Sequence, residues 1–112
     1  MESTNKTAQP DLAAALDRLW AKFLPEIQER VTILESAVQS LSAGSLHPEQ
    51  REAAHSAAHK LAGVLGTFNL ERGTVLAREI EMTFFADHPD PDSSARLAAM
   101  TAELRSVIES RG

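Results

Sequence analysis

The amino-acid sequence predicts an all-α fold, an antiparallel four-helix bundle with a short additional N-terminal helix. Three observations carry this expectation. Ile27, Val31, Leu34, Val38 and Leu41 step by four, three, four and three residues, the spacing of a helix face packed in a bundle. Ala, Leu and Glu dominate while aromatic residues make up only 4%, which favours helix over sheet. No segment shows the alternation of a half-buried strand, and the amphipathic stretches are joined by short connections, which implies antiparallel neighbours.

Taken in order, residues 1–9 are polar and read as a disordered tail, since they cannot bury enough surface to repay ordering. Residues 10–112 form one helical domain, and the 112-residue length suits a single small core. Pro10 and Asp11 suit a helix start, and Leu12, Leu16, Leu19, Trp20 and Phe23 form its apolar stripe. Trp20 and Phe23 should cover one end of the bundle; exposed, they would instead anchor a partner. Pro25 should end or kink this helix and begin the next. The Ile27–Leu41 stripe follows, closed by Ser42–Ser45 with Gly44 as a left-handed cap.

A third helix should start near Leu46–Pro48 and run to about Gly66. Its buried stripe is Ala54, Ala58, Leu61 and Leu65, with Ala57 and Val64 alongside. After a short connection at Thr67–Leu70, the next helix turns Val75 or Leu76, Ile80 and Phe84 inward. Asp87–Asp92 is a loop, rich in proline and aspartate. The final helix places Leu97, Met100, Leu104 and Val107 or Ile108 on one side.

Composition excludes several classes of function. The net charge of -5 gives no counterion-release energy on a phosphate backbone, so nucleic acid is not an expected partner. No apolar run reaches the roughly 20 residues of a bilayer span, and the N-terminal residues lack the apolar core of a signal peptide. The absence of cysteine removes disulfides, thiolate metal sites and thiol catalysis, and leaves the cytoplasm as the default compartment.

The informative stretch is His55–Asn69, HSAAHKLAGVLGTFN. His55, His59, Ala62, Gly63 and Gly66 fall toward a face other than the core stripe. Each glycine inside a helix costs about 1 kcal/mol relative to alanine, which suggests that something approaches the backbone closely. Close helix–helix packing is the alternative use of that space. Gly63 lies one turn from His59, so the ring stands beside a bald patch that a partner could press against. His55 and His59 are also spaced to chelate a metal, with Glu52 one turn further back, but no further ligand is signalled and no metal is expected. His47 and His88 lie beside prolines in loops and read as solvated side chains.

His59, Lys60, Leu61, Ala62, Gly63 and Gly66 together resemble the signature of histidine-containing phosphotransfer domains. The longer run AAHKLAGVLGTFNLERGTVLAREIE is similar to a common bacterial version of it. The resemblance is strongest over the third and fourth predicted helices. It implies that His59 is the phosphoacceptor in a two-component phosphorelay. The phosphoryl group would come from a receiver-domain aspartate or a hybrid kinase and pass to another response regulator. The transfer would run through a neutral imidazole nitrogen, with the receiver supplying Mg²⁺ and this chain binding no cofactor.

Glu52, His55, Ala62, Gly63, Gly66 and Thr67 would form the docking face. The expected partners are a response-regulator receiver domain and a sensor or hybrid histidine kinase, with the domain itself a monomer. No Gly-rich phosphate loop or kinase motif is present, so ATP binding and autophosphorylation are not expected. Many members carry lysine three residues after the histidine. That position is Ala62 here, and Lys60 directly follows the histidine, with a long stem that could reach back toward the phosphate. A later family glycine is replaced by Asn69. The substitution at 62 gives an alternative reading, a non-catalytic module of the same fold that docks receivers or kinases.

Overall fold

A computed structural model describes the backbone from Glu2 to Arg111 and the side chains of residues 11–111. The expected disordered tail over 1–9 lies outside the residues with described side chains. Four α-helices follow one another: α1 (Glu2–Ser42), α2 (Pro48–Thr67), α3 (Glu71–Phe85) and α4 (Ser94–Arg111), the last preceded by a 3₁₀ turn at Pro91–Ser93. Helix α1 packs on α2 and α4, and α3 packs on α2 and α4. Sequential helices are therefore neighbours and the chain closes on itself as an antiparallel bundle. Among the described residues there is no strand, and no helix is long and apolar enough to cross a membrane.

The additional N-terminal helix is not a separate element. Helix α1 runs through Pro25 without a break, which corrects the expectation that the proline would divide it. A proline inside a helix forfeits one hydrogen bond and costs about 3 kcal/mol. Pro25 is exposed, so the Ala21 carbonyl that it leaves unpaired is on the solvent side. Trp20 and Ile27, on either side of it, are both buried in the one core cluster. Burying two such side chains contributes about 1.5–3 kcal/mol each, enough to keep the helix continuous through the proline. The stripe ahead of it behaves differently from expectation. Leu12, Leu19 and Phe23 are exposed, Leu16 is half buried against the edge of the core, and Trp20 alone of the five is fully buried in it.

Trp20 plugs one end of the bundle. Its ring meets Phe68 edge-on at 5.1 Å between centroids, and the Arg111 guanidinium lies over both rings at 5.4 and 5.8 Å. Arg111 also donates to Asp17 Oδ1 at 3.0 Å, so the ends of α2 and α4 are tied to the middle of α1 at one point. Below this plug the core follows the predicted stripes: Ile27, Val31, Leu34, Val38 and Leu41 from α1, and Leu97, Met100, Leu104 and Ile108 from α4. In α3 Leu76 points inward and Val75 outward, because Leu76 shares the face of Ile80 and Phe84.

Two helix ends close with left-handed residues. Gly44 (φ 71°) ends α1, with Ser45 N–H donating to the Ser40 carbonyl and Gly44 N–H to Leu41. Asn69 (φ 60°) ends α2 in the same way, with Leu70 N–H donating to Leu65 and Asn69 N–H to Gly66. Asparagine tolerates this conformation better than most side chains. Between helices, Arg105 grips Glu35 through two bonds of 2.8 Å, fixing α4 to α1. Arg72 holds Glu103 at 2.6 and 2.9 Å, fixing α3 to α4.

Two measurements test this account. Pro25→Ala should restore the hydrogen bond to Ala21 and raise unfolding free energy by about 1–3 kcal/mol in urea titration; a lowered midpoint would place the proline at a helix end. The Arg105 hydrogen bond holds the Glu35 carboxyl below its ordinary value of 4.5. Its stabilisation is therefore present above that value and lost as pH falls through the lowered one. The stability lead of wild type over Glu35→Gln should be about 1 kcal/mol or less at pH 7. It should vanish below the carboxylate range; a lead that persists in acid would show that the pair's charge is not its source.

Candidate functional site

Helix α2 owes its straight course to Pro48 at its first turn and to an alanine-rich core face. Ala54, Ala57, Ala58, Leu61 and Leu65 turn inward. With these positions fixed, His59 must stand outside, and its side chain is 72% exposed. Helix α3 lies alongside, its entry set by the three-residue turn Phe68–Leu70. Three cross-helix contacts define one antiparallel register. His55 meets Phe85 with ring centroids 5.6 Å apart, His59 meets Glu81, and Gly66 faces Thr74.

The central contact is a hydrogen bond of 2.8 Å between His59 Nδ1 and Glu81 Oε2. An ionised carboxylate only accepts, so Nδ1 carries the proton in the neutral ring and Nε2 carries the lone pair. Nε2 makes no hydrogen bond among the described residues and faces solvent. The same Oε2 lies 3.6 Å from His55 Nε2. Glu81 is only 19% exposed and His55 31%, so the carboxylate sits in the seam between two imidazoles, the outer of which is free on its reactive side. Arg51 donates to the Phe84 carbonyl at 2.7 Å, satisfying an orphan acceptor in the last turn of α3 and tying it to the start of α2.

The surface around the ring is shaped for contact. Gly63 has nothing within 4 Å of where a Cβ would sit, and at Gly66 only the Thr74 hydroxyl comes as near as 3.8 Å. Neither glycine serves close helix packing. That role belongs to Gly73, where a Cβ would meet Leu65 at 3.0 Å and Val107 at 3.4 Å. On the other side of His59, Met82 and Phe85 project from α3, 71% and 67% exposed. They border a shallow depression with His55, His59 and Glu81.

The predicted site residues do not all lie together. His55 and Gly66 line the α2–α3 seam with His59, Gly63 lies one turn along on the open side of the ring, and Glu52 and Thr67 are exposed toward the ends of this face. Ala62 is corrected: it is 4% exposed and belongs to the core cluster rather than to the docking face, because its position turns under α3. Lys60 is exposed but stands about 100° around α2 from His59, on the flank away from α3. Glu81, Met82 and Phe85 were missed in sequence, since only the α2–α3 register brings them to His59. His47 and His88 line a separate cleft between the two loops at the Arg51 end of the bundle. Among the described residues no group of three or more histidines and carboxylates is arranged to hold a metal ion.

Comparison with known proteins agrees with this geometry. The family model of the Hpt domain matches residues 18–110. The chain belongs to the Hpt domain family. It is therefore a histidine phosphotransfer module of the phosphorelay type. The domain is also similar to protein RcaC of Microchaete diplosiphon, 35% identical over 74 residues that cover 66% of this chain and 11% of that protein. The chain thus matches about a tenth of that relative's length. No solved structure gives a significant match.

The two kinds of glycine separate in a stability test. Gly63→Ala should hold or raise the melting temperature of this Hpt domain, since alanine is the better helix former by about 1 kcal/mol and meets no neighbour. Gly73→Leu should lower it sharply, because overpacking a closed seam costs about 1–3 kcal/mol or more. Equal effects at the two positions would contradict the distinction.

Proposed function

We propose that His59 is the phosphoacceptor of this Hpt domain. It takes a phosphoryl group from a receiver-domain aspartate, or from a hybrid kinase, and passes it to another response regulator. The observation that carries this reading is the 2.8 Å bond from Nδ1 to Glu81, which leaves Nε2 unprotonated and facing solvent. Nε2 attacks the phosphorus of the aspartyl phosphate. A phosphorus–nitrogen bond forms as the acyl phosphate bond breaks, and the aspartate leaves as a carboxylate. The ring gains positive charge without losing its Nδ1 proton, and the Glu81 carboxylate faces that charge. In the onward transfer the ring departs as the same neutral tautomer, so no proton has to move in either direction.

The rest of the step is positioning and charge neutralisation, the main requirements of phosphoryl transfer. The receiver contributes Mg²⁺ and this chain binds no cofactor. Gly63 and Gly66 give the receiver close access to α2, while Met82, Phe85, Glu52 and Thr67 border the contact. A cytoplasmic, monomeric domain is part of this reading. One observation favours a second one: Ala62 occupies the usual lysine position and is buried. A module that docks receivers without accepting phosphate would bind several of them tightly and take up no label.

Incubation with phosphorylated receivers should give acid-labile, alkali-stable label that His59→Gln does not acquire; normal labelling of that variant overturns the assignment. Glu81→Ala should slow transfer by about 10- to 100-fold, since a hydrogen bond to a charged group contributes about 1.5–3 kcal/mol, with the melting temperature retained. Gly63→Leu should block transfer while the bundle stays folded, as the new side chain stands in the receiver's path.

A further inference from the structure

With Ala62 where many relatives carry lysine, α2 offers no lysine or arginine within one turn of His59 on the α3 side, and Arg51, two turns back, is held by the Phe84 carbonyl. A dianionic phosphoryl group on Nε2 still needs one. The α2–α3 register indicates where it comes from. His55 faces Phe85, His59 faces Glu81 and Gly66 faces Thr74. All three pairs follow a single antiparallel register, and continuing it places Arg78 opposite Ala62. Arg78 shares its stripe on α3 with Thr74, Glu81 and Phe85, at spacings of four, three and four residues, so it emerges along the same seam. It lies one turn from Glu81, and the facing Ala62 lies three residues, about 4.5 Å of helix rise, from His59. Ala62, on the α3 side of His59, has a short buried side chain, and Gly63, one turn along from the ring, is open.

Arg78 is exposed and makes no ion pair with any described carboxylate. Its neighbours on α3 differ in this respect: Glu79 is taken by Arg96 on the α4 side, and Arg72 by Glu103. Lys60 stands on the opposite flank of α2. We infer that Arg78 is the phosphate-binding cation of this site, reaching over the short side chain of Ala62 to hold the phosphoryl oxygens on His59 from α3. A guanidinium is suited to this role because its donors match two phosphate oxygens at once. The small side chain of Ala62 then leaves room for it to extend, and the open Gly63 leaves room for the phosphoryl group.

This inference rests on His59 being the phosphoacceptor, and the test separates the two. A receiver domain charged with acetyl phosphate is mixed with the intact protein, and label is followed to equilibrium between the two. Wild type without label overturns the His59 reading. If wild type is labelled, Arg78→Ala should shift the partition about 5- to 20-fold toward the receiver, the effect of losing one charge-assisted phosphate contact. Arg78→Lys should recover at least half of that shift, and Arg18→Ala, which removes the same charge on α1, should leave the partition at the wild-type value. A partition unchanged by Arg78→Ala, or moved equally by Arg18→Ala, overturns the assignment of Arg78. The melting temperatures of all variants should agree within a few degrees, since Arg78 has no partner to lose.

Discussion

The register between α2 and α3 is the constraint on which the rest of this domain depends. Its source is local: α2 must end where Asn69 enters the left-handed region, and the chain must turn within three residues to start α3. Leu65 and Leu70, joined by the closing hydrogen bond of that turn, seat the turn against the core. From there each residue of α3 has an assigned opposite on α2. Glu81 reaches His59, Phe85 covers His55, and Arg51 returns from the start of α2 to hold the last turn of α3. A slip of one position would rotate α3 by about 100° and carry Glu81 out of reach of the imidazole. The proposed nucleophile belongs to one helix and its orienting carboxylate to another, so the site exists only when the pair is correctly docked.

Much of this was legible in sequence because the two signals involved are local. The stripe from Ile27 to Leu41 fixed which face of α1 is buried, and the run from Ala54 to Leu65 forced His59 outward. The glycines at 63 and 66 stand open, since a glycine used for packing would need a close neighbour, as Gly73 has. Two parts were not legible. Proline propensity alone divides α1 at Pro25, whereas the structure shows the burial of Trp20 and Ile27 outweighing that local cost. The partners of His59 on α3 lie more than twenty residues away in sequence. No periodicity within α2 can show which α3 side chain faces the ring.

Ala62 illustrates the same limit from the other side. Its helical position, three residues after His59, placed it with the histidine on a shared face. Three residues correspond to about 300° of helical turn, and the 60° difference is enough to slide Ala62 beneath α3 while His59 stays in solvent. The boundary between core and site runs between these two neighbours on the wheel. A residue at 62 thus contributes to packing first, and to phosphate chemistry only if its side chain is long enough to emerge.

The division of labour among the helices has a practical consequence. Helices α1 and α4 are fastened to each other by Arg105 with Glu35 and by Arg111 with Asp17, on the side of the bundle away from the His59–Glu81 seam. Changes made along that fastening alter how firmly the scaffold holds without entering the His59–Glu81 seam. A fluorophore, an affinity tag or a stabilising cross-link could be introduced there to follow phosphate exchange while leaving the exchange itself undisturbed.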